Sequence, residues 1–325
     1  MKNSLSKWIF WAVGFIVLAI FPQVVGIYYM NFFVGFAIFA LYSVTLNLQL
    51  GYMGVLSFGH AMFFGTGAYA TALALTHIKG FALLPAVLVG GLAGGLLALI
   101  LSPLLVRVSG TAFAMLTLAF GQLIFVVALK YREVTGGEDG IGGYSIPPLN
   151  IPGVVSIDMA DKINFYYFAI AVIVVCLFIL WFYTKTPFGS LVVGIRDNAM
   201  RIDYLGFKLP HIKAVNLIVS GTFAGIAGAV HALLMKLVST VGVLDINASF
   251  APILMAYIGG VGSFFGPIIG SAVLHLLEDL VIRFTERIGL VNGAIFILVV
   301  IYAPMGLVGL FREAKAKWFH KGKVS

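Results

Sequence analysis

Along most of this chain apolar residues follow one another without the polar positions that a helix packed on a water-soluble core would show every three or four residues. The apolar blocks fall at roughly 8–29, 31–50, 53–76, 82–106, 111–130, 164–184, 212–236, 248–262, 266–283 and 290–310. Most are about twenty residues long, the length of α-helix that crosses a hydrocarbon layer about 30 Å thick. The pattern predicts an all-α, polytopic membrane helix bundle of about ten transmembrane helices. The blocks at 53–76, 248–262 and 266–283 are short or rich in glycine, so each either crosses fully or dips and returns.

One stretch breaks the pattern. Thr184 to Lys213, TKTPFGSLVVGIRDNAMRIDYLGFKLPHIK, carries Lys185, Arg196, Arg201, Lys208 and Lys213 against Asp197 and Asp203. Each such charge costs a few kcal/mol at the centre of a bilayer, so the segment stands in water. Pro187 and Gly189 open it, and Gly206 with Pro210 closes it. Between them apolar residues recur from Leu191 through Ile195, Met200, Ile202 and Leu205. This is the pattern of short amphipathic helices lying across a membrane face. It predicts a cytoplasmic helix pair over 185–211, between the sixth and seventh crossings, presented to a soluble partner.

Composition strengthens the membrane reading. Of 325 residues 61% are hydrophobic and only 10% charged, and mean hydropathy is +1.08, too little polar surface to coat a globule. A net charge of +8 would suit nucleic acid in a soluble protein. Here the cations gather on one side instead. With the N-terminus inside, Lys2, Lys7, Arg107, the cations of the polar break, and Arg312, Lys315, Lys317, Lys321 and Lys323 of a basic tail at 311–325 all face the cytoplasm. Of the 12 acids only Asp197, Asp203 and Glu313 fall there. The expected arrangement is one transmembrane domain over 1–325 in the plasma (inner) membrane, with both termini cytoplasmic, lipid around it and no nucleic acid as partner. Trp8 to Tyr29 reads as a first crossing, because it is long enough to span and lacks a small-residue cleavage site. The largest outward segment, an external loop at 131–163, contains TGGEDGIGGYSIPPLNIPG; it is either a connector or a docking surface made negative by Glu133, Glu138, Asp139, Asp158 and Asp161. Cys176 is solitary, so no intrachain disulfide forms.

Candidate chemistry is sparse. Gly51 to Ala70, GYMGVLSFGHAMFFGTGAYA, joins Gly51, Gly54 and Gly65 to Ser57 and His60, which share one helical face at i, i+3. The glycines serve close packing, or else the helix is interrupted near the midplane and its freed backbone groups line a polar path with His60. A looser echo, GGVGSFFGPIIGSA, begins at Gly259 and includes Gly262. In both stretches two glycines three apart precede Ser, Phe and a further glycine, which hints at a duplicated half. His231, His275 and Glu278–Asp279 remain; His275 and Glu278 are placed either for a proton relay or for an outer interface. No metal-ligand spacing, Ser–His–Asp grouping or Gly-x-x-x-x-Gly-Lys-Ser/Thr phosphate loop occurs, so ATP, if it drives this protein, is bound by another chain.

Taken together these segments resemble the membrane permease subunits of branched-chain amino acid ABC importers, the LivM/LivH type. The resemblance is carried, in order, by GYMGVLSFGHAMFFGTGAYA, by TGGEDGI in the outer loop, by PFGSLVVGIRDNAMRIDYLGF followed by KAVNLIVSGTFAGIAGAVHAL, and by GGVGSFFGPIIGSAVL leading to IYAPMGLVGL. These span about residues 45–310, and the long outer loop looks more like the LivM half. The resemblance implies a coupling helix gripped by an ATPase, with Gly194, Arg196, Asp197, Asn198, Arg201 and Gly206 matching the family's pattern. Asp197 stands where Glu is usual, and Met200, Ile202 and Asp203 replace a more Ala-rich run. It further implies a second homologous permease chain, two ATP-binding-cassette ATPase subunits that hold ATP-Mg, and an external substrate-binding protein. This chain would then have no cofactor and no catalysis of its own, and would supply the path for branched-chain or related hydrophobic amino acids, with Gly51, Gly54, Ser57, His60, Gly65, Gly259 and Gly262 as candidates to line it. Related permeases carry urea, short amides or aromatic amino acids, so the substrate stays open. The competing readings are a stand-alone ion-coupled secondary transporter, suggested by His60, His275 and Glu278, and a membrane-embedded enzyme.

Overall fold

The computed structural model describes residues 21–23, 25–78, 80–151, 155–284, 288–302 and 306–309. Most of the expected first crossing at 8–29 and the basic tail at 311–325 lie outside the described residues. The chain is built of helices α1 (Ile27–Asn47), α2 (Ala61–His77), α3 (Leu83–Leu105), α4 (Thr111–Lys130), α5 (Lys162–Lys185), α6 (Pro187–Tyr204), α7 (Leu209–Met235), α8 (Thr240–Leu244), α9 (Ile246–Gly259), α10 (Gly266–Val281) and α11 (Ile288–Tyr302). Six helical stretches among the described residues are long and apolar enough to cross a membrane: Ile27–Met53, Leu83–Leu105, Thr111–Lys130, Lys162–Lys185, Leu209–Met235 and Thr240–Gly259. The chain is therefore an all-α, multi-pass membrane protein.

Three expected spans change shape. α1 runs on through a π-helical turn, Leu48–Met53, and stops at Gly54, whose φ of 76° turns the chain out of the helix. The stretch expected as one span over 53–76 is therefore a non-helical segment, residues 54–60, followed by α2 of 17 residues. α9, which α8 extends to membrane length, and the 16-residue α10 form a tight hairpin: a Cβ at Gly270 would lie 1.8 Å from the Met255 carbonyl oxygen, so only glycine permits this contact.

The helices show the inside-out patterning of a membrane protein. On α3, Leu84, Leu88, Leu92 and Leu96 are exposed while Gly90, Gly91, Gly94, Gly95 and Ala98 are buried. Glycine turned inward lets backbones touch. A Cβ at Gly225 of α7 would lie 2.5 Å from the Gly90 carbonyl oxygen of α3, and one at Gly67 of α2 would lie 2.4 Å from Gly225 Cα. α2, α3 and α7 thus share a seam of small residues, the packing that replaces hydrophobic association in lipid.

The segment between α4 and α5 adds three short strands to the helical plan, and a fourth follows α7. β1 (Ile141–Gly142) pairs antiparallel with β4 (Leu237–Val238), and β2 (Leu149–Ile151) with β3 (Val155–Ile157). Tyr144 Oη donates to the Ala232 carbonyl at 2.7 Å and Thr240 Oγ1 to the Gly137 carbonyl at 2.5 Å, so TGGEDGIGGY is pinned over the end of α7.

Gly225→Leu tests the seam. Driving four carbons into a backbone contact is expected to cost at least about 1–3 kcal/mol. Thermal unfolding of the detergent-purified protein should show a lowered midpoint, whereas Leu92→Ala on the outer face should leave it nearly unchanged.

Candidate functional site

The site grows from the broken end of α1. Over the last turns of this helix, where it widens into the π-helical turn, side chains from other elements bond its carbonyls. Ser220 Oγ on α7 donates to the Thr45 carbonyl at 2.7 Å, and Asn216 Nδ2 to the Leu48 carbonyl at 3.0 Å. Tyr183 Oη at the end of α5 donates to Asn216 Oδ1 at 3.1 Å, which fixes the amide. Gln49 Nε2 donates in turn to Ser220 Oγ at 3.1 Å. Arg196 Nη1 of α6 completes the set by donating to the Gly51 carbonyl at 2.5 Å.

The second glycine-rich stretch meets the first at this point. Asn47 Oδ1 accepts from the Gly262 amide at 3.2 Å, and Asn47 Nδ2 donates to the Ser263 carbonyl at 2.9 Å. A Cβ on Gly51 would lie 2.9 Å from Gly262 Cα. Of the residues proposed to line a path, Gly51, Gly54 and Gly262 therefore come together, and they do so around Arg196. Gly259 lies in the α9–α10 crossing, where a Cβ would collide with the Gly266 carbonyl. Gly65 lies apart: it makes room for Leu244 of α8, and a Cβ there would sit 2.3 Å from that side chain. Ser57 and His60 are fully buried. His60 Nε2 meets Thr45 Oγ1 at 3.0 Å, and its ring stacks on Tyr42 with centroids 5.5 Å apart.

The polar break forms two short helices. Thr186 caps the first, its Oγ1 accepting from the Gly189 amide at 3.2 Å with Pro187 following, as helix starts favour. Asn198 interrupts α6 with extended backbone, φ −160° and ψ 95°, and its Oδ1 accepts from the Arg201 amide at 3.0 Å as a cap for the second helix. Gly194 lets the second helix fold against the first, since a Cβ there would lie 2.7 Å from Ile202 Cδ1. Gly206, φ 85°, ends the unit. The six residues singled out in this segment thus divide: Gly194, Asn198 and Gly206 shape the elbow, Arg196 turns into the bundle, and Asp197 and Arg201 face solvent.

His275 and Glu278 belong to a different place. His275 Nδ1 lies 3.9 Å from Glu278 Oε2, and its ring packs on Phe32 and Phe39 at centroid distances of 5.0 and 5.6 Å. Asp279 is held by Arg283 at 3.0 Å and by the Tyr28 hydroxyl. This is an ion-pair and aromatic contact joining the ends of α1 and α10. His231 packs between Phe39 and Phe64. Among the described residues no group of His, Cys, Asp and Glu is placed to hold a metal ion.

Sequence reasoning missed Asn47, Gln49, Asn216 and Ser220, all fully or almost fully buried. Their signal was present: amides inside apolar blocks are expensive and persist only where a backbone group or another side chain needs them.

The arrangement defines a class, a multi-pass membrane protein in which a polar elbow is tied to two interrupted helices. Within that class, the chain belongs to the family described as branched-chain amino acid transport system / permease component, whose model matches residues 28–303. It is similar to the high-affinity branched-chain amino acid transport system permease protein LivM of Salmonella typhimurium, 28% identical over 294 residues that make up 85% of this chain and 68% of the relative. The LivM protein of Escherichia coli is 27% identical with the same coverage. The guanosine ABC transporter permease protein NupQ of Bacillus subtilis is 31% identical over 189 residues, 53% of this chain and 57% of that one. No solved structure gives a significant match.

Asn216→Leu, close in volume, removes the donor to the Leu48 carbonyl and the acceptor for Tyr183. It is expected to destabilise by about 1–3 kcal/mol per polar group left unpaired. A lowered thermal midpoint in detergent, partly recovered when Tyr183→Phe is added, checks this assignment.

Proposed function

We propose that this chain is one transmembrane half of an ATP-driven importer for branched-chain or related hydrophobic amino acids, in the plasma (inner) membrane with both termini cytoplasmic and about ten crossings in all. Around it stand a second homologous permease chain, two ATP-binding-cassette ATPases that hold and hydrolyse ATP-Mg, and an external binding protein that delivers substrate. The family match and the names of the LivM relatives support the substrate class.

One observation carries the partner assignment. The elbow leaves Met200, Tyr204 and Leu205 exposed, Tyr204 at 86%, beside Asp197 and Arg201 and between two long apolar helices. Apolar side chains on a charged, water-facing segment are an interface waiting for cover, and flanking charges give it orientation. A soluble ATPase is the occupant this reading assigns. ATP-driven closure of the ATPases would move the elbow as a rigid body and exchange outward for inward opening, with the bond-breaking chemistry in the partner.

Reconstituting the whole complex in liposomes should give leucine uptake that requires ATP and the binding protein. The purified chain alone should give none; gradient-driven uptake by it would make the protein a secondary transporter. Arg201→Glu should strip the ATPases from the complex during co-purification while this chain still inserts. Calorimetry of the cognate binding protein against Leu, Ile, Val, Phe, urea and guanosine sets the substrate, and tight binding of guanosine alone would move the chain to the nucleoside carriers.

A further inference from the structure

Arg196 lies in the segment read above as the ATPase-facing elbow, yet one arm of its guanidinium bonds the backbone of the bundle. It runs inward along a socket made by both glycine-rich breaks. Two glycines form the walls. Gly54 and Gly262 have left-handed backbone, φ 76° and 85°, and Cβ atoms there would lie 2.6 Å from Arg196 Cγ and 3.4 Å from Arg196 Nη1. A side chain at either position would be strained by the backbone, and one at Gly54 would also push the arginine aside, whereas one at Gly262 would only touch it. At the end of the socket Nη1 donates to the Gly51 carbonyl at 2.5 Å, while the helix closes with Val55 donating to Gln49 at 3.0 Å. Asn47 then carries the connection across, since it holds the Gly262 amide and the Ser263 carbonyl from the last turn of α1.

The outer side of the guanidinium is engaged as well. Arg196 Nε and Nη2 reach Asp197 Oδ1 at 3.1 and 3.0 Å, with the arginine side chain 39% exposed and the aspartate 63%. An exposed ion pair of this kind contributes little to stability. It does place a solvent-facing carboxylate in contact with a side chain that bonds Gly51 and lies against Gly262.

We infer that Arg196 is the transmitting residue of the elbow: it carries displacement of α6 to the Gly51 and Gly262 breaks together, with Asp197 as the point where a bound partner acts on it. It is a positioning residue. The inference rests on the importer reading, and it deepens that reading by separating the residue that transmits from those that dock.

The test uses the complete complex in liposomes and reads substrate transported per ATP hydrolysed, together with ATPase co-purification. Arg196→Ala should keep the ATPases bound but lower transport per ATP by about tenfold, the scale of losing one charge-assisted hydrogen bond. Arg196→Lys, which keeps the charge without the forked reach, should recover only part. Gly54→Ala keeps the arginine in the chain but drives it from its socket, so it should uncouple to a similar degree; it also carries the test should Arg196→Ala fail to reach the membrane. Uptake and hydrolysis falling in parallel at an unchanged ratio would overturn the inference, as would loss of the ATPases from Arg196→Ala. Retention of the ATPases by Arg201→Glu would instead count against the docking assignment and leave the ratio measurement for Arg196 intact.

Discussion

The structure depends on the way the far end of α1 is held: where the helix widens into a π-helical turn and then stops at Gly54, other elements bond its carbonyls. The carbonyls of Thr45, Leu48 and Gly51 accept from Ser220, Asn216 and Arg196 respectively. Two of these donors sit on α7 and the third on α6. Satisfying one helix end therefore draws three elements together, and through Asn47 it draws in the α9–α10 turn as well. The same interaction set that makes the break tolerable also makes it a junction.

The elbow divides into parts with different tasks. A bend is made by Asn198, Gly194 and Gly206; an inward tether is made by Arg196; an outward surface is made by Asp197, Arg201, Met200 and Tyr204. On the importer reading proposed above, the bend would present the outward surface and the tether would join it to the bundle.

Much of the fold was legible because bilayer physics writes in long words. Twenty-residue apolar blocks and a charge-dense break are strong signals, and α3, α4, α5, α6 and α7 fall close to where the pattern puts them. The glycine echo also proved informative, since Gly51 and Gly262 meet in space. What the pattern could not give was depth and partner. Gly51, Gly54 and Gly65 look alike in one dimension, yet the first two frame an arginine and the third clears a path for Leu244. The block at 53–76 hid a non-helical segment because Val55, Leu56 and Phe58 are as hydrophobic as a helix would require. Nor does an amide such as Asn216 announce which carbonyl it will serve 168 positions away.

The seam among α2, α3 and α7 bears on how such a machine can move. Side chains can swap rotamers and slide past one another, but backbones pressed together through Gly67, Gly90 and Gly225 have nothing to rearrange. The trio therefore forms a rigid block. On the importer reading proposed above, work delivered at the elbow would be spent outside that block, where the polypeptide lacks helical stiffness, at residues 54–60 and 260–265.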